Sequence, residues 1–196
     1  LGAHYTSEKN ILKLIKPLFL DELQTEFQKV KSNKNKLAAF HQKLGNLKFL
    51  DPACGCGNFL IITYRELRLL ELEVLKELYG GQQVIGIDQI MLVDVDQFYG
   101  IEYAEFPARI AEVALWLMDH QMNLRISEAF GMYYARLPLK KSATIVHGNA
   151  LRTEWTDIVP KTELSYILGN PPFVGSKLLK KEQREEMAEI FSKVDN

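Results

Sequence analysis

A chain of 196 residues with 47% hydrophobic content can bury one sizeable core and does not have the composition of a disordered protein. Its 24 basic and 25 acidic side chains leave a formal charge of −1, which excludes a strongly basic nucleic-acid binder, so a nucleic-acid substrate would have to be gripped mostly by something else. No apolar run approaches the roughly 20 residues that span a bilayer and nothing resembles a signal peptide, so the sequence predicts a cytoplasmic protein, and Leu1 in place of methionine predicts a piece of something longer.

In chain order, Thr6 and Ser7 are candidate caps for a helix carrying Ile11, Leu12, Leu14, Ile15, Leu18 and Phe19, which Pro17 should kink or split. The lysine-rich stretch 28–48 reads as a solvated helix end plus connector. A short apolar run, 47–50, predicts a strand, and the glycine turn Asp51-Pro52-Ala53-Cys54-Gly55-Cys56-Gly57 leads into a strong helix over 59–78, closed by Gly80-Gly81. The Val- and Ile-rich segment 83–95 predicts an extra β-hairpin. A strand ending at Tyr99-Gly100-Ile101-Glu102 follows, then a helix over 107–118 with Pro107 in its first turn, a looser stretch through Gly131 and Pro138, and a strand at 143–146. A last strand at 166–168 meets Gly169-Asn170-Pro171-Pro172-Phe173, and a charged amphipathic helix covers 180–191. Strands alternating with helices predict an α/β fold whose parallel sheet receives ligands at the carboxyl ends of its strands.

The glycine turn is the first chemistry-bearing motif. Gly55 and Gly57 carry no side chains, so backbone N–H groups and a helix N-terminus can approach a carboxylate or phosphate. Asp51 beside them can accept a hydrogen bond from a ligand ammonium, and a carboxylate next to main-chain donors suits an amino-acid zwitterion. No third glycine completes a dinucleotide fingerprint, and no Walker-type Gly-Lys-Ser is present. Glu102, at the end of the next sheet strand, is placed to take the two ribose hydroxyls of a nucleoside; Asp88 in Val84-Ile85-Gly86-Ile87-Asp88 is its competitor. Glu102 is preferred because a helix-length pattern follows it, whereas Asp88 leads into strand-like sequence. Cys54 and Cys56 lie two apart in one tight turn, poorly placed for a disulfide, and with His4, His41, His120 and His147 they show no zinc spacing, so no metal site is predicted. Trp116, Met118 and Met122 read as core, and the histidines as ordinary.

Asp-Pro-Ala-Cys-Gly-x-Gly-Asn-Phe-Leu with a later Asn-Pro-Pro-Phe resembles the amino-methyltransferases that move a methyl group from S-adenosylmethionine to adenine N6 in DNA. Gly2-Ala3-His4-Tyr5-Thr6 resembles the cofactor-binding segment that precedes the glycine motif in the gamma-class members. The phrases Asp96-Gln97-Phe98-Tyr99-Gly100-Ile101-Glu102 and Ala114-Leu115-Trp116 are most similar to the methylase domain of single-chain type II restriction-modification enzymes. The resemblance implies a three-layer Rossmann-like class I methyltransferase sheet, truncated after the fourth motif strand and carrying the inserted hairpin. Residues 1–46 would form an amino-terminal helical segment with the cofactor-contacting motif, and residues 47–196 the first part of the core.

Carried over by residue, the resemblance implies that His4, Tyr5 and Thr6 contact the methionine end of S-adenosylmethionine, with Asp51, Ala53, Gly55 and Gly57 around it. Glu102 would hold the ribose, and Asn149 and Ala150 would lie at the adenine, with Leu151 packing on its ring. Asn149 stands where the family often has aspartate, and Cys56 where serine is commoner. Asn170, Pro171, Pro172 and Phe173 would be the catalytic corner. The Asn170 oxygen and the Pro171 carbonyl accept from the two N6 protons, the prolines stiffen the turn, and Phe173 stacks on a flipped base, worth about 1–3 kcal/mol. The implied partner is duplex DNA with a flipped adenine, reached through a recognition domain absent from this chain, and a fused nuclease in the parent is compatible with the likeness. Two alternatives stay open: a methyltransferase acting on RNA guanine N2 or a protein glutamine amide, and a non-catalytic cofactor-binding module. The predicted fragment holds the cofactor site but does not choose a DNA sequence.

Overall fold

Helix α1 (Glu8–Ile15) buries Ile11 and Ile15, and Pro17, which has no N–H to offer the preceding turn, falls in a single π-helical stretch at Lys16–Leu20 before α2 (Asp21–Val30) resumes the regular pitch. We describe the protein from a computed structural model, which describes residues 6–80, 90–131, 142–172 and 179–192. Ser7 occupies the cap position of α1 without a side-chain hydrogen bond, so the expected hydroxyl cap is not formed, and Thr6 makes a different contact taken up below.

The stretch expected to be a solvated connector is instead helix α3 (Lys34–Asn46), capped by the Asn33 side chain on the Lys36 N–H. Leu37, Phe40, His41 and Leu44 recur at helical spacing and are buried, while the lysines take the outer face. The chain then enters strand β1 (Phe49–Asp51), turns through the glycine loop and runs up helix α4 (Asn58–Tyr79), which ends on Gly80 in the left-handed conformation. The expected hairpin at 83–95 falls largely on residues outside those described, and no strand occurs over the described 90–94. A short 3-10 turn, Val95–Gln97, leads into β2 (Phe98–Glu102). Gln97 donates from its amide nitrogen to the Leu44 and Leu47 carbonyls at 2.9 and 2.7 Å, tying the end of α3 to the entry of both central strands.

Helix α5 (Glu105–Phe130) continues well past the expected end at 118 and stops on Gly131. It is followed by β3 (Thr144–His147), β4 (Tyr166–Ile167) and helix α6 (Lys181–Phe191). Among the described residues the three strand pairs are parallel and the order is β3-β2-β1-β4. Successive strand residues face opposite ways. Phe49 and Phe98 therefore stack at 5.2 Å in the large cluster beneath α1 to α5, whereas Leu50, Tyr99 and Ile101 join Val159, Trp155 and Ile158 on the other face. The amino-terminal helices share that large cluster with the sheet, so Phe19 meets both Phe49 and Tyr166.

Between α4 and α5 lies a buried polar group. The Arg68 guanidinium donates to Tyr64 Oη, Asp119 Oδ1 and Asn123 Oδ1 at 2.5, 3.1 and 2.7 Å, and Asn123 donates to Asp119 Oδ2 at 3.0 Å. One turn along α4, Glu71 Oε1 accepts from the Leu92 and Val93 amides and lies 2.8 Å from His41 Nε2. These contacts fix the segment that feeds β2. Among the described residues no helix is long and apolar enough to cross a membrane.

Candidate active site

Because the strands are parallel, their carboxyl ends share one edge of the sheet, and each carries a residue singled out in the sequence. Asn149 lies beyond β3, Glu102 ends β2, Asp51 and the glycine turn end β1, and Asn170 lies beyond β4. From β1 the chain adds β2 and β3 on one side and β4 on the other, so the direction of winding reverses at β1. Such a reversal opens a crevice beyond the strand end, where open parallel sheets take ligands.

Asp51 is 1% exposed, and its Oδ1 accepts the Ala53 N–H at 3.0 Å. Burial pushes its carboxyl up to about 7; the nearby Glu102 charge adds to the rise and the Ala53 N–H opposes it. An arriving cation favours the ionised form, so this carboxyl is suited to an ammonium. The turn itself is held by Cys54 N donating to the Ile101 carbonyl at 3.0 Å. The Gly55 N–H donates to Glu102 Oε2 and the Ala104 N–H to Oε1, both at 2.9 Å. Two main-chain donors thereby fix the plane of the Glu102 carboxylate, and each oxygen retains acceptor capacity for a ligand diol. At Gly55, φ is +54° and a Cβ would project into open space, so the conformation favours glycine and leaves the crevice clear. Cys54 and Cys56 are free thiols; burial pushes the Cys54 thiol up and its sulfur lies against Gly100, as a packing group and not a nucleophile.

Gly148 N donates to the Glu102 carbonyl at 2.9 Å, which sets Asn149 beside the β2 end. Asn149 Oδ1 accepts the Leu151 N–H at 3.0 Å and Nδ2 donates to Glu186 of α6 at 2.8 Å. Ala150 packs with the second-face cluster, and its carbonyl accepts the Trp155 indole N–H at 2.8 Å. Leu151 is 46% exposed.

Across the crevice, Asn170 Nδ2 donates to Thr6 Oγ1 at 3.1 Å, bringing the amino-terminal segment to the amide–proline corner. A Cβ at Gly169 would lie 2.4 Å from Asp51 Oδ1 and 2.9 Å from its Cγ, so the main chain leaving β4 passes directly against the Asp51 carboxyl. The glycine turn and the corner therefore converge on one edge. Pro171 and Pro172 follow, exposed. His4, Tyr5, Asp88 and Phe173 lie outside the described residues, and so does the choice between Asp88 and Glu102.

Two residues beside the site have no role in the sequence reading. Gly169 had a signal, a glycine directly before Asn-Pro-Pro. Glu186 had none, since on an exposed amphipathic helix a carboxylate reads as ordinary solvation.

A parallel sheet of this order, with a glycine turn after β1, an acid at the end of β2 and Asn-Pro-Pro after β4, defines a Rossmann-like methyltransferase fold. The sequence profile of the family described as MmeI, DNA-methyltransferase domain, matches residues 27–196. DNA methyltransferase A of Bacillus subtilis (strain 168) is 44% identical over 200 residues, an alignment that takes in 100% of this chain and 22% of that protein. A solved structure of the type IIL restriction-modification enzyme MmeI in complex with DNA superposes with a TM-score of 0.94 at 60% identity, covering 100% of this chain and 26% of the other. The chain belongs to the MmeI DNA-methyltransferase domain family. It spans about a quarter of the length of these relatives.

Proposed function

We propose that this domain transfers a methyl group from S-adenosylmethionine to N6 of an adenine flipped out of duplex DNA, as the methylating part of a restriction-modification enzyme. The observation that carries the reading is the main-chain contact of Gly169 with Asp51, which sets a cation-ready carboxyl and the Asn-Pro-Pro corner against each other. The residues present fit S-adenosylmethionine. Asp51 would meet its ammonium, Glu102 would take the ribose diol on oxygens already oriented by Gly55 and Ala104, and Asn149 and Ala150 would border its adenine, with Thr6 on the methionine side. Bound there, the cofactor supplies an electrophilic sulfonium methyl.

The chain's own work is alignment and charge stabilisation. Adenine N6 is a poor nucleophile because its lone pair is delocalised into the ring. The Asn170 side-chain oxygen and the Pro171 carbonyl accept its two protons, draw the nitrogen toward tetrahedral geometry and stabilise the positive charge that grows on it. Pro171 and Pro172 keep those acceptors rigid, and Phe173 stacks on the extruded base, offsetting part of the unstacking cost. The neutral Cys54 thiol takes no part. DNA partners, target choice and any nuclease belong to the longer protein.

The test is methyl transfer from tritiated cofactor to unmodified DNA by the full-length protein and by Asn170→Ala, with the product base identified by mass spectrometry. Removing one positioned acceptor should lower the transfer rate about 10²–10³-fold and leave cofactor affinity within a few-fold. Unchanged transfer by the variant, or a methylated base other than N6-methyladenine, would refute the reading.

A further inference from the structure

A carboxylate only accepts hydrogen bonds, so Glu186 can meet Asn149 only through the amide nitrogen. That contact decides which way round the amide sits. Nδ2 is turned to Glu186 Oε1 at 2.8 Å, while Oδ1 receives the Leu151 N–H at 3.0 Å and keeps a second lone pair. Glu186 is itself held: Arg152 donates from Nε to the same Oε1 at 2.7 Å and from Nη2 to Glu189 Oε2 at 3.2 Å. None of the residues of α6 is buried, so these polar contacts define how the helix meets the loop after β3.

We propose that Glu186 is a positioning residue that locks the amide of Asn149 with its oxygen available to the bound nucleoside, and so makes the site select a 6-aminopurine over a 6-oxopurine. The inference rests on the S-adenosylmethionine reading above and extends it to a residue on α6. An aspartate at 149 would present an acceptor in either orientation. An asparagine can present a donor just as easily, and needs an outer group that breaks the symmetry. The Leu151 N–H holds the oxygen end and Glu186 holds the nitrogen end, and Arg152 keeps Glu186 in place. With Oδ1 inward, a purine carrying an exocyclic amine donates to it, whereas a purine carrying a carbonyl sets oxygen against oxygen.

The test compares calorimetric affinities of S-adenosylhomocysteine and S-inosylhomocysteine, its 6-oxo analogue, for the intact protein and four variants. The native protein should prefer the adenosyl compound about 10–100-fold, the range expected when a half-buried acceptor that the ligand covers meets a donor instead of another acceptor. Glu186→Lys offers a donor to Asn149 that competes with the Leu151 N–H for Oδ1 and should bring the preference toward unity; Glu186→Ala leaves the Leu151 N–H alone to hold the amide and should reduce the preference several-fold. Adding Asn149→Asp to Glu186→Lys should restore the preference, because both aspartate oxygens accept. If Asn149→Ala abolishes the preference but both Glu186 variants keep it, the role of Glu186 is overturned while the ligand assignment stands. If Asn149→Ala leaves both affinities unchanged, Asn149 does not meet the purine and both fall.

Discussion

Asp51 is the group whose replacement tests the electrostatics of the site most directly. Its carboxyl is raised from the ordinary 3.8 to about 7, chiefly by burial. For an acid raised in this way, the folded state holds a proton that the unfolded state has already lost, so stability falls as pH climbs from about 4 to about 7 and is flat beyond. At 1.36 kcal/mol per pH unit the whole span is worth ~4 kcal/mol. Integrated between pH 5 and 8, it is about 2.5 kcal/mol. The side-chain amide introduced by Asp51→Asn can still accept the Ala53 N–H but does not titrate. Urea denaturation of both proteins at pH 5, 6, 7 and 8 should therefore show the native chain losing about 2–3 kcal/mol relative to the variant over that range. The same linkage requires a cationic ligand to displace the proton, so cofactor binding near pH 6 should release about one proton in the native protein and none from this position in the variant. A difference between the two proteins that does not change with pH would refute the reasoning.

Two further outcomes follow from packing. Gly169→Ala places a methyl 2.4 Å from Asp51 Oδ1, so either the β4 end or the carboxyl must move; the expected cost is about 1–3 kcal/mol, read as a drop of about 2–4 °C in Tm per kcal/mol, and an unchanged Tm would contradict the contact. Asp119→Ala strips Arg68 of one of its buried partners and should cost about 3–5 kcal/mol in urea denaturation, while an Arg68→Met, Asp119→Leu pair should recover only part of that loss, since Glu71, which also pairs with Arg68 at 3.6 Å, is then left as a buried carboxylate without that cation.

The sheet strands and the gathering of Asp51, Glu102, Asn149 and Asn170 at one edge are legible because glycine turns, apolar runs and Asn-Pro-Pro are local signals. The errors have local causes too. In α3 the buried set Leu37, Phe40, His41 and Leu44 has helical spacing, but lysines on the outer face dominated the composition and hid it. The length of α5 was missed because the buried face beyond 118 carries Asp119 and Asn123, which interrupt the apolar pattern. Their burial makes sense only with Arg68 present on α4, a partner roughly fifty residues away in the chain. Ser7 looked like a cap from its type alone. Thr6 also reads as a cap from its type, yet its hydroxyl reaches Asn170, 164 residues along. Long-range polar pairs of this kind leave no periodic trace.

The bare α-carbon at Gly169 gives the two halves of the crevice a shared wall one backbone thick. Spacing across that wall is set on one side by the main chain and on the other by a buried carboxyl that the Ala53 N–H holds, so little side-chain freedom is left there. The separation of Asp51 from the Asn-Pro-Pro corner thus follows from the pairing of β1 with β4.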